Sequence, residues 1–258
     1  MRRSPSSVPA SPEPLDPAEA LRAAVDCERP AEQRRLALDG LRALEEAPGG
    51  GDPELRALLW RQVYRAWLEE GDLEEALAAA RHAAAPGSPV PEVAHADLAR
   101  VLMALGRQQE AIETQRLAAR AAPPDRRGFH LWTLGAMLQA AGRLDEAERT
   151  LRRALRWARR ERELLEAHLL WLDLQRGRDP GHAELRRAAD ALASSPARGG
   201  YGELLQGILR AHAEQRDEAR ALLGRFVERM RRGPAARRLT LRFELHEAER
   251  LLATLADA

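Results

Sequence analysis

Gly71, Gly106 and Gly142 stand 35 and 36 residues apart, and that interval constrains the chain more than any other feature of it. Each glycine follows an amphipathic stretch and precedes an acidic or polar start to another. Around them large and small residues recur in one order. Trp60, Val63, Tyr64, Trp67, Gly71 and Ala76 are followed by Leu98, Ala99, Leu102, Gly106 and Ala111, then by Leu134, Gly135, Leu138, Gly142 and Ala147. A unit of this length holds one short helical hairpin, which cannot bury its apolar face alone and gains a core only by stacking on neighbours. Glycine at the turn tolerates a positive φ, and Ala76, Ala111 and Ala147 let two helices approach closely. With 50 Ala against two Tyr and three Phe, the composition also favours helix over strand.

The chain divides around this periodic middle. Residues 1–14, rich in Ser and Pro, read as a disordered tail. Residues 15–48 read as an N-terminal helical hairpin: Asp16 caps its first helix, Pro30 breaks it, and a second helix runs from Ala31 to about Ala47. Three clear repeats span 57–161 and two degenerate ones 162–232. In the fifth unit the central turn reads Gln215-Arg216-Asp217, without glycine. Residues 233–258 read as one capping helix, striped with Leu241, Leu245, Ala248, Leu252 and Leu255.

The pattern resembles the tetratricopeptide repeat, with the best matches at 57–90, 92–125 and 128–161. Two departures stand out. Tyr64 occupies a place where the family pattern is small, and Arg159 replaces the closing proline of the third unit, so that helix is expected to run on towards Arg162. The resemblance implies an all-α chain, a right-handed αα superhelix of stacked hairpins whose first helices line a concave groove. Helical arrays of slightly different repeat length are the structural alternative.

Groove positions carried over from the family give Leu58, Arg61, Arg65 and Leu68, then Val93, Ala96, Arg100 and Met103, then Phe129, Trp132, Ala136 and Gln139. The weaker fourth unit adds Leu164, Ala167, Trp171 and Leu174. Candidate partner-binding residues are therefore Arg61, Arg65, Arg100, Met103, Phe129, Trp132 and Trp171. Guanidinium groups bind carboxylates bidentately and half-buried tryptophans anchor partners, so the surface suits a protein or peptide segment that is acidic and carries apolar anchors. In the competing reading, Trp132 and Trp171 pack under neighbouring repeats or against the C-terminal helix. Some family members grip a peptide carboxylate with Lys and Asn; this chain contains neither residue, so that clamp is not expected.

All 41 basic residues are Arg, and 40 acidic residues leave a formal charge of +1, so no global field attracts polyanions. Locally, Arg152, Arg153, Arg156 and Arg160 lie in one cluster that also includes Arg159, and Arg231, Arg232, Arg237 and Arg238 in another. They define an alternative function as a regulatory module that binds nucleic acid; the competing reading is a solvated face paired with Glu148, Glu161, Glu163 and Glu228.

No phosphate loop, dinucleotide fingerprint or nucleophile elbow occurs, and His246-Glu247 lacks its second histidine because position 250 is Arg. Neither a catalytic centre, a metal site nor a cofactor is expected, and Cys27 stands alone. No 18-residue apolar run suggests a membrane span, and Pro5, Pro9, Pro12 and Pro14 interrupt the place of a secretory signal, which points to the cytoplasm. The expected function is a non-catalytic scaffold or adaptor, with homo-oligomerisation through the C-terminal helix as a further reading.

Overall fold

Aspartate and proline set where the first helices begin. In the computed structural model, which describes residues 16–49, 51–158 and 160–256, the Asp16 carboxylate accepts from the Ala18 N–H at 3.1 Å and Pro17 opens α1 (Pro17–Asp26). Pro30 opens α2 (Pro30–Glu46), and Asp52 caps α3 (Pro53–Glu70), again with proline in the first turn. Then follow α4 (Leu73–Ala83), α5 (Pro91–Ala104), α6 (Gln108–Ala121), α7 (Pro124–Ala140), α8 (Leu144–Leu155), α9 (Arg162–Gln175) and α10 (His182–Ala193). The series ends with α11 (Tyr201–His212), α12 (Arg216–Arg232), α13 (Ala235–Thr240) and α14 (Arg242–Ala256). The expected tail at 1–14 and Arg159 lie outside the described residues.

The described residues form an all-helical chain of stacked hairpins, an αα superhelix in which α3 pairs with α4, α5 with α6, α7 with α8 and α11 with α12. One turn closes the periodic hairpins. Gly71, Gly106, Gly142 and Gly177 all take φ between 71° and 88°. The next residue then returns an N–H to a carbonyl five positions earlier, as Arg107 does to Leu102 at 2.8 Å and Arg143 to Leu138 at 2.9 Å. In the fifth hairpin the same bond runs from Gln215 to Arg210 at 2.9 Å, but Glu214 holds the left-handed place with φ 63°. Close packing explains a second glycine: a Cβ on Gly135 would lie 2.5 Å from Leu151 Cδ2, so α7 and α8 meet only because position 135 is bare.

Two apolar clusters run through the stack. The first joins α1–α8 and reaches into α9 through Leu165 and Leu172; the second, centred on Trp171, Leu205, Leu223 and Phe226, joins α9–α12 with α14. Trp132 packs against both.

Two expectations are corrected. The third repeat does not run on as helix towards Arg162: α8 ends at Leu155, and the backbone at Trp157 and Ala158 passes within 3.3 Å of where a Gly128 Cβ would stand, while Arg127 covers the Trp157 ring at 4.7 Å. The final segment is two helices instead of one. A break at Leu241 lets α13 lie on α5 and α3 while α14 packs on α12 and α11. The C-terminal chain thus caps the stack and also folds back over the second and third helical pairs.

Candidate functional site: a cavity on the inner face of the stack

The first helices of the second, third and fifth repeats, α5, α7 and α11, face one space, and α13 and α14 close it. The result is a cavity of about 250 Å³ whose walls include Met103, Phe129, Trp132, Ala136, Tyr201 and Leu241, with Arg100 and Glu244 as its charged groups. A second hollow of about 400 Å³ lies against α13, between Leu68, Arg100, Pro234 and Arg237.

The expected arginine end of the groove is largely committed within the chain. Arg61 Nε donates to Asp97 Oδ2 at 2.7 Å, and Arg100 Nη1 donates to Asp97 Oδ1 at 2.8 Å and to the Tyr64 hydroxyl at 3.1 Å. Asp97 is buried, so two guanidiniums answer one carboxylate that water does not reach. Tyr64, the misfit of the repeat pattern, is the buried acceptor in this set; burial pushes its phenol up to about 12 against the pull of Arg100. Arg65 is exposed and, among the described residues, donates to Gln62 Oε1 at 3.4 Å.

The aromatic end divides. Phe129 is 44% exposed, and Met103 is buried in the wall. Trp132 is half-buried, its ring centroid 5.7 Å from Phe129 and 5.0 Å from Tyr201, and its Nε1–H donates to His168 Nδ1 at 2.9 Å. That bond places the His168 hydrogen on Nε2, which donates to Gln139 Oε1, and Gln139 Nε2 passes the chain on to Gln175 Oε1 at 2.8 Å. Full burial drives the His168 imidazole down to about 3, so it stays neutral at physiological pH. Trp171 is corrected from partner anchor to core: it is 1% exposed, stacked on His168 at 5.4 Å and on Phe243 of α14 at 5.7 Å. A residue the C-terminal helix covers offers nothing to a partner.

Tyr201, Glu244 and α13 were not on the list drawn from the sequence. Glu244 carried a signal, because it stands three residues after Leu241 and four before Ala248, inside the apolar stripe of the last helix. Tyr201 carried none; the residues it meets, His168, Glu244 and Trp132, are 33 to 69 positions away.

The basic clusters do not form one surface. Arg152 pairs with Glu148 at 2.9 Å, Arg231 with Glu249 at 3.0 Å and Arg232 with Glu228 at 2.6 Å. Arg238 donates to the Arg231 and Gly233 carbonyls, closing the end of α12. Arg237 lies beside Arg225 and Arg229, Arg160 is exposed, and Arg153 and Arg156 flank a separate shallow cleft with Arg120, Arg127 and Trp157. Among the described residues no group of three or more His, Cys, Asp or Glu is placed to hold a metal ion. No helix there is long and apolar enough to cross a membrane.

Residues 94–125, which include α6 and most of α5, match a family model described as tetratricopeptide repeat. Among solved structures, one described as a functional characterization of Pseudomonas aeruginosa pilF aligns with a TM-score of 0.57 at 16% identity, covering 91% of this chain and 98% of that one. No curated protein matches the chain. At that identity the likeness is one of fold, and it spans almost the whole length: a match to the tetratricopeptide repeat at 94–125 sits within a chain folded as an αα superhelix.

Proposed function

We propose that the chain is a non-catalytic scaffold or adaptor of the cytoplasm that binds a protein or peptide segment along its inner face, seating one side chain of that segment in the cavity beside Phe129 and Trp132. Tetratricopeptide repeats generally serve protein–protein interaction, which gives the coarse reading its support. The finer one rests on a single observation. A large aromatic, Phe129, stands 44% exposed at a cavity with apolar walls, next to a tryptophan held in place by the Trp132–His168 hydrogen bond. A fixed pocket spares the ordering cost of binding, and one buried anchor contributes roughly 1.5–3 kcal/mol. Because Asp97 already holds Arg61 and Arg100, Arg65 is the groove arginine best placed to meet an acidic group on the partner.

The test is affinity capture from the native cell extract with the full chain beside Phe129→Ala and Ala136→Phe, bound proteins being identified by mass spectrometry. Phe129→Ala removes the exposed ring and Ala136→Phe fills the cavity. A protein retained by the natural chain and lost, by tenfold or more, with either variant supports the reading. Equal retention by three chains of equal helicity moves the interface elsewhere.

A further inference from the structure

The cavity contains a charge that its surroundings leave unanswered. Glu244 is 4% exposed, and its carboxylate accepts from its own backbone N–H and, at Oε1, from the Tyr201 hydroxyl 3.2 Å away. Arg100 lines the same cavity, yet its guanidinium is taken by Asp97 and Tyr64. His168, 5.6 Å from the Tyr201 ring, is neutral. Among the described residues, then, no cation pairs with a carboxylate that folding takes out of water, an arrangement that costs several kcal/mol until a counter-charge arrives.

The walls beside Glu244 are suited to supply a seat for that counter-charge. The Trp132 and Tyr201 rings stand perpendicular, at 90° with centroids 5.0 Å apart, and Phe129 continues the wall outwards. Ring faces carry negative potential and attract a cation within about 6 Å of the centroid. Met103 and Met137 add polarisable sulfur. At about 250 Å³ the space falls below the roughly 300–1,000 Å³ of pockets for drug-sized ligands, and it is right for one side-chain head or a small organic cation.

We propose that this cavity is a binding site for an organic cation, received in the corner between Trp132 and Tyr201 with its charge against Glu244. The cation is an ammonium, either the lysine or methylated lysine head of a bound protein segment or a free quaternary amine. The first source rests on the groove-binding function proposed above; the second does not.

The full chain is titrated with choline, with its neutral carbon analogue 3,3-dimethylbutan-1-ol, and with acetylated, amidated peptides bearing lysine, trimethyllysine or norleucine at one position. Tryptophan fluorescence and calorimetry report binding to the natural chain, to Glu244→Gln and to Tyr201→Phe, which keeps the ring. Choline or the lysine peptides should bind at least tenfold more tightly than their neutral counterparts, and Glu244→Gln should erase that preference while leaving the neutral ligands unchanged. Burial raises the Glu244 carboxyl to about 7, and the hydrogen bonds from its own backbone N–H and then from Tyr201 offset part of that rise. Cation affinity should therefore fall about tenfold from pH 8 to pH 6 in the natural chain and stay level in the glutamine variant.

Binding of choline alone assigns a free amine; binding of the lysine peptides alone assigns a protein segment. Equal affinity for charged and neutral ligands, or no cation bound at 10 mM, overturns the proposal. It can fail while partner capture still depends on Phe129 and Ala136, and it can stand, with choline, when no partner is captured, so the two readings are separable.

Discussion

Trp132 Nε1–H donates to His168 Nδ1 across 2.9 Å, and the two residues stand 36 positions apart, one repeat. The same step recurs along the stack. Arg34 reaches Glu70, Arg61 reaches Asp97, Arg100 reaches Tyr64 and Gln139 reaches Gln175, each over 36 positions. Equivalent places on neighbouring hairpins sit side by side, so the repeat period becomes a ladder of polar contacts laid across an apolar core. Register between the hairpins is fixed by side chains as well as by packing.

That ladder has a pH signature. With its Nδ1 accepting from Trp132, His168 folds as the neutral Nε2–H tautomer, and burial lowers it to about 3. The unfolded chain binds a proton near pH 6.5 that the folded chain refuses, so the stability this residue contributes above pH 6.5 is lost as pH falls towards 3. The slope is about 1.4 kcal/mol per pH unit while only the unfolded state is protonated. Urea unfolding at pH 7.5, 6 and 5 should show that term in the natural chain and lack it in His168→Gln; parallel curves would mean that water reaches the imidazole.

Glu214 occupies the place that Gly142 holds in the third hairpin, with φ 63° against 72°. A left-handed residue with a side chain is strained by about 1 kcal/mol, and the Glu214 carboxylate, 78% exposed and 3.9 Å from His182, returns little. Glu214→Gly should raise the melting temperature by about 2–4 °C. Thermal unfolding followed by circular dichroism checks it, and an unchanged or lower midpoint would show that the turn carries no strain.

The turn glycines, the alternation of large and small residues and the Asp16 cap were legible because each is a local demand: a positive φ, a close approach, an unpaired N–H. Position 135 is bare because Leu151 lies 16 residues on in the same hairpin, a relation the repeat itself encodes. What stayed hidden lies mostly beyond one repeat. Arg61 and Arg100 have the family's groove positions, but Asp97, three residues before Arg100 and one repeat after Arg61, claims both, and a reading that took groove positions one by one did not weigh that pairing. Trp171 looked like an anchor until Phe243, 72 residues later, covered it. The fold-back of α13 onto α5 depends on a break at Leu241 within an unbroken apolar stripe.

The fold-back makes the C-terminal segment part of the core. Ala248, Leu251 and Leu255 of α14 are buried in the second cluster and Phe243 packs against it. A chain ending at Arg232 should therefore expose Trp171 and the α11–α12 face. Dye binding to exposed apolar surface should rise and sedimentation should show self-association. A monodisperse, dye-silent product would mean that α13 and α14 merely rest on a completed stack.

Glu244 acts against the fold that contains it. Its carboxyl is raised from 4.5 to about 7 by burial, so between those values the folded chain keeps a proton that the unfolded chain releases. Stability consequently falls as pH rises from 4.5 to 7 and levels off above, a loss of about 3 kcal/mol over 2.5 units. Glutamine fills the same space, can still meet the Tyr201 hydroxyl and never ionises. Without ligand, Glu244→Gln should match the natural chain in urea unfolding at pH 4.5 and exceed it at pH 8. If the natural chain is equally stable at pH 8, its carboxylate is solvated or already paired, and the cavity has no vacant charge to offer. If the variant is more stable there, the natural chain gives up stability at this one place to keep a carboxylate at the wall of its cavity, as a binding residue does and a packing residue does not.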